Sequence, residues 1–321
     1  MLNKVKGSLI GGAVGDALGY AIEFYLEDGI FKKYGKQGIS SYELTNGLAE
    51  ISDDTQMTLF TAVGLLLGND YISQINTAYL DWYHTQYNND EKGVTWLYNV
   101  KELHSPRAPG GTCLTALSLG GNGTFEAPIN DSKGCGGIMR VAPIGLYCKE
   151  DVCLLGAKVA ALTHGHELGY IPAGMLSELI SLILHNENVE LKALVLKALE
   201  NTKCIFGNKI HFPYFEKLIL KAIKLSEKNK EDLKCIHELG EGWVAEETMA
   251  IAVYCALKYN NDFKKAIMVS VNHNGDSDST GAVTGNILGA YLGYDEIPNE
   301  YKENLELKDV ILKVAQDLLE S

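Results

Sequence analysis

Two glycine ladders constrain this chain more than any other feature. Gly7, Gly11, Gly15 and Gly19 recur every four residues near one end, and Gly281, Gly285, Gly289 and Gly293 do so near the other. A spacing of four puts each set on one face of an α-helix. Each glycine inside a helix costs about 1 kcal/mol against alanine, so such ridges persist only where close backbone approach recovers several kcal/mol in packing. The ladders therefore predict two buried, glycine-faced helices near the centre of the molecule. Glycines at this spacing also serve plain helix packing; their neighbours are what point to chemistry. Glu23 continues the first ridge, and an acidic cluster directly precedes the second.

The remainder of the chain reads as helical. With 33 glycines and only 7 prolines, long helices can run uninterrupted. Apolar residues recur at three and four over residues 154–184, 189–199, 214–228, 243–259 and 304–319, with few alternating β-branched runs. No linker or low-complexity tract divides the sequence, and charge runs such as residues 228–234 read as solvated helix ends. The expectation is one all-α domain spanning residues 1–321.

Composition narrows the partners. The 46% hydrophobic content supports a real core, while 28 basic against 41 acidic residues give a net charge of −13. A surface that binds duplex nucleic acid would work against that field, whereas divalent cations and metal-bridged ligands would not. The seven cysteines contain no C-x-x-C pair and read as buried thiols in a reducing cytosol, so a cytoplasmic protein is expected. Asp16 interrupts the apolar N-terminal stretch and Glu23 closes it, which fits neither a signal sequence nor a membrane span. A monomer is the default.

Two segments concentrate carboxylates and hydroxyls. Ser52-Asp53-Asp54-Thr55 stands just before the apolar run at residues 57–67, and Asp276-Ser277-Asp278-Ser279-Thr280 opens the second glycine ladder. Either segment alone could be a helix N-cap. Together with Glu23 they supply five carboxylates, more than capping requires and the oxygen donors that hard divalent ions take; two Mg²⁺-like ions are the preferred account. An EF-hand reading from Asp276 fails, because Gly281 fits position six but Ile287 occupies position twelve. Asp276-x-Asp278-x-Thr280 also has the form of a dehalogenase-type phosphatase nucleophile motif, whose further Lys and acidic motifs would find little chain after it.

Of the 28 basic side chains only Arg107 and Arg140 are arginine, and both stand beside glycines. Gly134-Cys135-Gly136-Gly137 ahead of Arg140 could cradle a pyrophosphate through backbone N–H groups, with the guanidinium as a planar fork; a tight turn and a structural ion pair are the simpler alternatives. His164-Gly165-His166 suits substrate positioning or a satisfied buried histidine better than zinc ligation. Trp82, Trp96 and Trp243 read as core.

Taken in order, the blocks at residues 7–23, 52–57, 107–110, 134–140, 164–166 and 275–281 resemble the ADP-ribosylglycohydrolase family, over nearly the whole chain. The resemblance implies a compact, orthogonal all-α bundle around a central binuclear Mg²⁺ or Mn²⁺ site. It matches Ser52, Asp53, Asp54, Asp276, Asp278 and Ser279 to metal ligands, and Glu23 to a glutamate beside the metals and the scissile bond. The loop matching Ser132, Gly134, Cys135, Gly136 and Gly137 would hold the ADP portion. The family often has Thr where Ser52 and Ser279 stand, which preserves a ligand oxygen. Some members have Asn where Cys135 stands, which changes the adenosine-side contacts.

The expected reaction is hydrolysis at C1 of the distal ribose, through an oxocarbenium-like transition state. Glu23, or an aspartate such as Asp54, would take the proton of the attacking water, while Arg107, His164 and His166 would contact substrate or leaving group. The expected substrate is an ADP-ribosylated protein, modified on arginine, or a small molecule, with ADP-ribose released. A nucleotide phosphatase or phosphodiesterase and a non-catalytic ADP-ribose binder are the alternatives.

Overall fold

The computed structural model describes residues 1–87 and 92–321. Among them there are sixteen α-helices and no strand. The first half of the chain contributes α1 (Leu2–Tyr20), α2 (Glu27–Tyr34), α3 (Asp53–Leu65), α4 (Tyr71–Thr85), α5 (Gly111–Ser118), α6 (Ala142–Tyr147) and α7 (Val152–Ala161). The second half adds α8 (Glu167–His185), α9 (Leu191–Phe206), α10 (Phe212–Ser226), α11 (Asp232–Leu239), α12 (Ala245–Lys258), α13 (Phe263–Val271), α14 (Ser277–Leu292), α15 (Asn299–Lys302) and α16 (Lys308–Glu320).

The two glycine ladders lie on each other. A β-carbon on Gly7 would fall 2.1 Å from the carbonyl oxygen of Gly289, one on Gly11 2.4 Å from that of Gly285, and one on Gly15 2.0 Å from that of Gly281. On Gly19 it would fall 2.2 Å from the Ser277 carbonyl oxygen. As the α1 number rises the α14 number falls by the same step, so the helices run antiparallel with backbone against backbone. Ser8 and Asn286 clamp the edge of this contact: the Ser8 hydroxyl donates to the Asn286 carbonyl at 3.0 Å, and the Asn286 amide donates to the Ser8 carbonyl at 2.9 Å. Gly293 departs from the ladder's logic. Its φ of 93° ends α14, so it is a left-handed cap that only glycine adopts freely.

Other helices wrap this pair. α12, α13 and α8 pack on α14, α16 packs on α1, and α3 packs against α4 and α6. α1 and α14 are small or apolar on nearly every side and buried along most of their length, whereas α10 and α16 bury one face only. The apolar run expected as one segment over residues 154–184 is two helices. Thr163, His164 and Gly165 separate α7 from α8, and His166 caps α8 by accepting from the Leu168 N–H at 3.0 Å. α8 is long and apolar enough to cross a membrane, yet most of its residues are buried against α6, α7 and α9.

Candidate active site

The antiparallel register delivers the C-terminal end of α1 to the N-terminal end of α14. Glu23, three residues beyond α1, thereby shares a cavity with Asp276, Asp278 and Ser279. Asp16, wholly buried in α1, ties in the third segment. Its carboxylate accepts from the Ser52 N–H at 2.9 and 3.1 Å, from the Thr55 N–H at 3.1 Å, and from the Thr55 hydroxyl. A carboxylate on three donors at a helix start is a strong anchor, favoured also by the dipole. It fixes the first turn of α3, and with it Asp53 and Asp54.

The capping reading of the two acidic segments also holds. Ser52 caps α3 by accepting from the Asp54 N–H at 3.2 Å, and Asp276 caps α14 by accepting from the Ser279 N–H at 3.2 Å. Asp53 is braced further, accepting from the Gly110 N–H at 3.0 Å while its own N–H donates to the Arg107 carbonyl at 3.1 Å. The cavity measures about 210 Å³. Glu23, Asp53, Asp54, Asp276, Asp278 and Ser279 line it together with the glycine loops at Gly110, Gly111, Gly134 and Gly136, and with Cys135 and His164.

Several residues singled out from sequence do not line this cavity. Ser52 is wholly buried behind it. Arg107 is held by Glu50 and Glu306, each at 3.0 Å from Nη2. Ser132 turns its hydroxyl to the Gly134 N–H at 3.3 Å, and Gly137 lies under α8 against the Gly169 carbonyl. His166 faces His211, with ring centroids 4.5 Å apart. Arg140 is not a phosphate fork and has no ion-pair partner among the described residues: it is wholly buried over the Tyr79 ring, 4.4 Å from its centroid. Trp243 corrects the opposite way. It is 41% exposed and lines the cavity, while Trp82 is core as expected. Sequence reasoning also missed Asp16 as the tie between α1 and α3, although it stands within the first glycine block.

The electrostatics follow from crowding acids away from water. Burial, with Asp278 adding to it, pushes the Asp16 carboxyl up to about 7, against the hydrogen bonds from Thr55 and Ser52. Burial pushes Glu23 up to about 9, helped by Asp278, Asp53 and Asp16. Asp53, Asp54 and Asp276 are likewise held well above the ordinary carboxylate range, burial being the largest cause for each. Cys135 donates its thiol hydrogen to Asp276 at 2.7 Å, and burial followed by that neighbour keeps the thiol protonated. Among the described residues Glu23 Oε2 and Asp54 Oδ2 are buried with no hydrogen-bond partner, and no lysine or arginine lines the cavity. Unpartnered oxygens among repelling acids fit a divalent cation as the missing counter-charge. Among the described residues, however, no three His, Cys, Asp or Glu side chains already converge as a ligand cage. Asp53 and Asp276 each spend an oxygen on a backbone N–H group.

Comparison with known proteins settles the relationship, since the profile of the ADP-ribosylglycohydrolase family matches residues 1–321. The chain belongs to this family. It is accordingly an ADP-ribosylglycohydrolase, a hydrolase of ADP-ribose glycosidic bonds. ADP-ribosylhydrolase ARH3 of Gallus gallus is 25% identical to this glycohydrolase, with 99% of this chain and 93% of the relative covered. ADP-ribosylarginine hydrolase Tri1 of Pseudomonas putida (strain GB-1) is 23% identical, covering 99% of this chain and 78% of the relative. A solved chain described as an ADP-ribosylglycohydrolase-related protein complex shares the fold, with a TM-score of 0.67 and 23% identity over 99% of this chain and 98% of its own.

Proposed function

We propose that this glycohydrolase is a divalent-cation-dependent enzyme that releases ADP-ribose from arginine side chains of modified proteins. The observation that carries the reading is the single cavity that gathers acids from the ends of α1, α3 and α14 with the glycine loops at Gly110 and Gly134. The acids suit cations and a polyhydroxylated sugar; the glycine loops suit a diphosphate, which backbone N–H groups bind well. Asp53, Asp54, Asp276 and Asp278, with the hydroxyl of Ser279, would hold two Mg²⁺ or Mn²⁺ ions. Bound there, such ions supply Lewis-acid polarisation and orientation of ribose oxygens.

The chain's own groups do the rest. Glu23 Oε2, buried without a partner, would accept the proton of the attacking water as positive charge builds on the ribose ring, since cations bound among the neighbouring acids would favour its ionised form. The loops at Gly110 and Gly134 bring backbone close to the diphosphate side, and His164 contributes a polar edge between them. Trp243, partly exposed at the cavity, offers a flat apolar surface to the adenosine or acceptor side. An arginine acceptor accords with the activity for which the Tri1 relatives are named. It also accords with a net charge of −13, which draws a guanidinium toward the cleft.

The test is release of free ADP-ribose from an ADP-ribosyl-arginine protein, with and without Mg²⁺. Removal of the cation or Asp276→Asn is expected to lower the rate by at least about a hundredfold. Release that ignores both changes would overturn the cation-dependent site. Appearance of inorganic phosphate in place of ADP-ribose would move the assignment to a phosphatase.

A further inference from the structure

Arg140 presents an unusual situation for a charged side chain. It is wholly buried, and no carboxylate among the described residues pairs with it. An unpaired buried charge is costly, so its remaining contacts must hold it in place. Nη1 points to Cys113 Sγ at 3.3 Å and Met57 Sδ at 3.5 Å; Nη2 donates to the Val159 carbonyl at 3.4 Å and to the Thr163 hydroxyl at 2.6 Å; Nε has no partner. The shortest of these bonds leads to the cavity, because Thr163 Oγ1 stands 2.8 Å from Nδ1 of His164.

Proton directions along this chain are set by its first member. A guanidinium can only donate, so Thr163 Oγ1 accepts from Arg140 and keeps its own hydrogen for another acceptor. Two atoms compete for that hydrogen. Cys113 Sγ is a weak acceptor already approached by Arg140 Nη1, whereas the imidazole Nδ1 is a strong one. With Nδ1 accepting, the ring proton resides on Nε2. That nitrogen lies along the glycine loop: a β-carbon on Gly136 would fall 3.2 Å from it, and one on Gly134 would fall 3.4 Å away.

We propose that Arg140 and Thr163 are positioning residues that lock His164 as the neutral tautomer protonated on Nε2, so that it donates to an oxygen of the ADP-ribose group on the glycine-loop side of the cavity. The donor role rests on the reading of this cavity as the ADP-ribose site; the tautomer does not. Burial and the nearby Arg140 charge hold the imidazole down to about 3, which agrees with a ring that donates without ever becoming a cation. The arrangement gives a hydrogen bond of fixed direction, where a free histidine would divide its population between two tautomers and a charged form.

The test is ¹⁵N NMR of histidine-labelled, ligand-free protein at neutral pH, with His164→Gln identifying the resonance. Long-range ring correlations are expected to show the Nε2–H form in the wild type and in Thr163→Ser. In Thr163→Val, which keeps the shape and removes the hydroxyl, the tautomer lock is expected to be lost. The same variant should bind ADP-ribose about tenfold more weakly by calorimetry, through loss of one directed hydrogen bond. An Nδ1–H or cationic ring in the wild type overturns the proposal, and does so even if Thr163→Val fails to fold. An unchanged tautomer in Thr163→Val also overturns it. Wild type that shows the Nε2–H form yet binds no ADP-ribose would leave the relay standing and remove the functional reading instead.

Discussion

Adding one methyl group where the two central helices touch should undo both stability and catalysis. In Gly285→Ala the new β-carbon would stand 1.9 Å from the Gly11 carbonyl oxygen, 2.4 Å from its carbonyl carbon and 2.9 Å from the Gly12 nitrogen. All three are backbone atoms of α1, so no rotamer change relieves them. Carbon contacts settle near about 3.5 Å, so the helices must separate by roughly 1.5 Å. Alanine returns about 1 kcal/mol of helix propensity. Overpacking costs about 1 to 3 kcal/mol and often more where backbone must move, and contacts along the ladder are lost as well. A net loss of about 3 kcal/mol is expected. At about 2 °C per kcal/mol for a protein of this size, Tm should fall by about 6 °C. The control is Gly29→Ala in α2, where the nearest atom, Cδ1 of Tyr25, lies 3.5 Å away and alanine should be neutral or stabilising. Because the same contact brings Glu23 to Asp276 and Asp278, ADP-ribose release should also fall well below the melting transition. A Gly285→Ala protein that melts at or above the wild-type temperature would refute the backbone-contact argument.

Two further outcomes test the site's electrostatics and its anchoring. Asp16 and Glu23 titrate near pH 4 in an unfolded chain but are pushed up to about 7 and about 9 when folded, so the folded, metal-free protein retains protons that the unfolded chain has released. Its Tm in EDTA should therefore decline between pH about 5 and about 9, and Mg²⁺ or Mn²⁺ should restore most at the alkaline end; a flat or rising profile in EDTA contradicts this. Asp16→Asn places an amide donor where donors already converge, at a cost of about 2 kcal/mol. Calorimetry should show that loss and assays a larger one in rate, because the first turn of α3 carries Asp53 and Asp54; unchanged values for both would show that Asp16 does not anchor the turn.

The parts of this molecule legible in sequence are those where spacing alone encodes contact. Four-residue glycine steps forecast two buried helices, and the acids flanking them gather at one cavity. Less visible were features that depend on which side of an element a side chain leaves. Asp16 belongs to the same helix as the glycines, but its service to the start of α3 requires knowing how α1 and α3 are juxtaposed. Trp243 and Trp82 carry the same side chain, yet one sits at the cavity and the other is wholly buried. Arg140 follows a glycine loop as a phosphate-binding arginine would, and nothing in the local pattern shows it turned inward beneath Tyr79.

The pairing of Gly7 with Gly289 and of Gly19 with Ser277 has a consequence for how the molecule comes into being. As the polypeptide leaves the ribosome, α1 emerges first and must wait for more than two hundred residues before its partner helix is made. Until then a bare glycine surface and the carboxyls of Asp16 and Glu23 have nothing to close upon. Nascent chains halted before residue 277 should therefore be inert however well their intervening helices have formed, and the emergence of α14 becomes the moment at which the enzyme switches on.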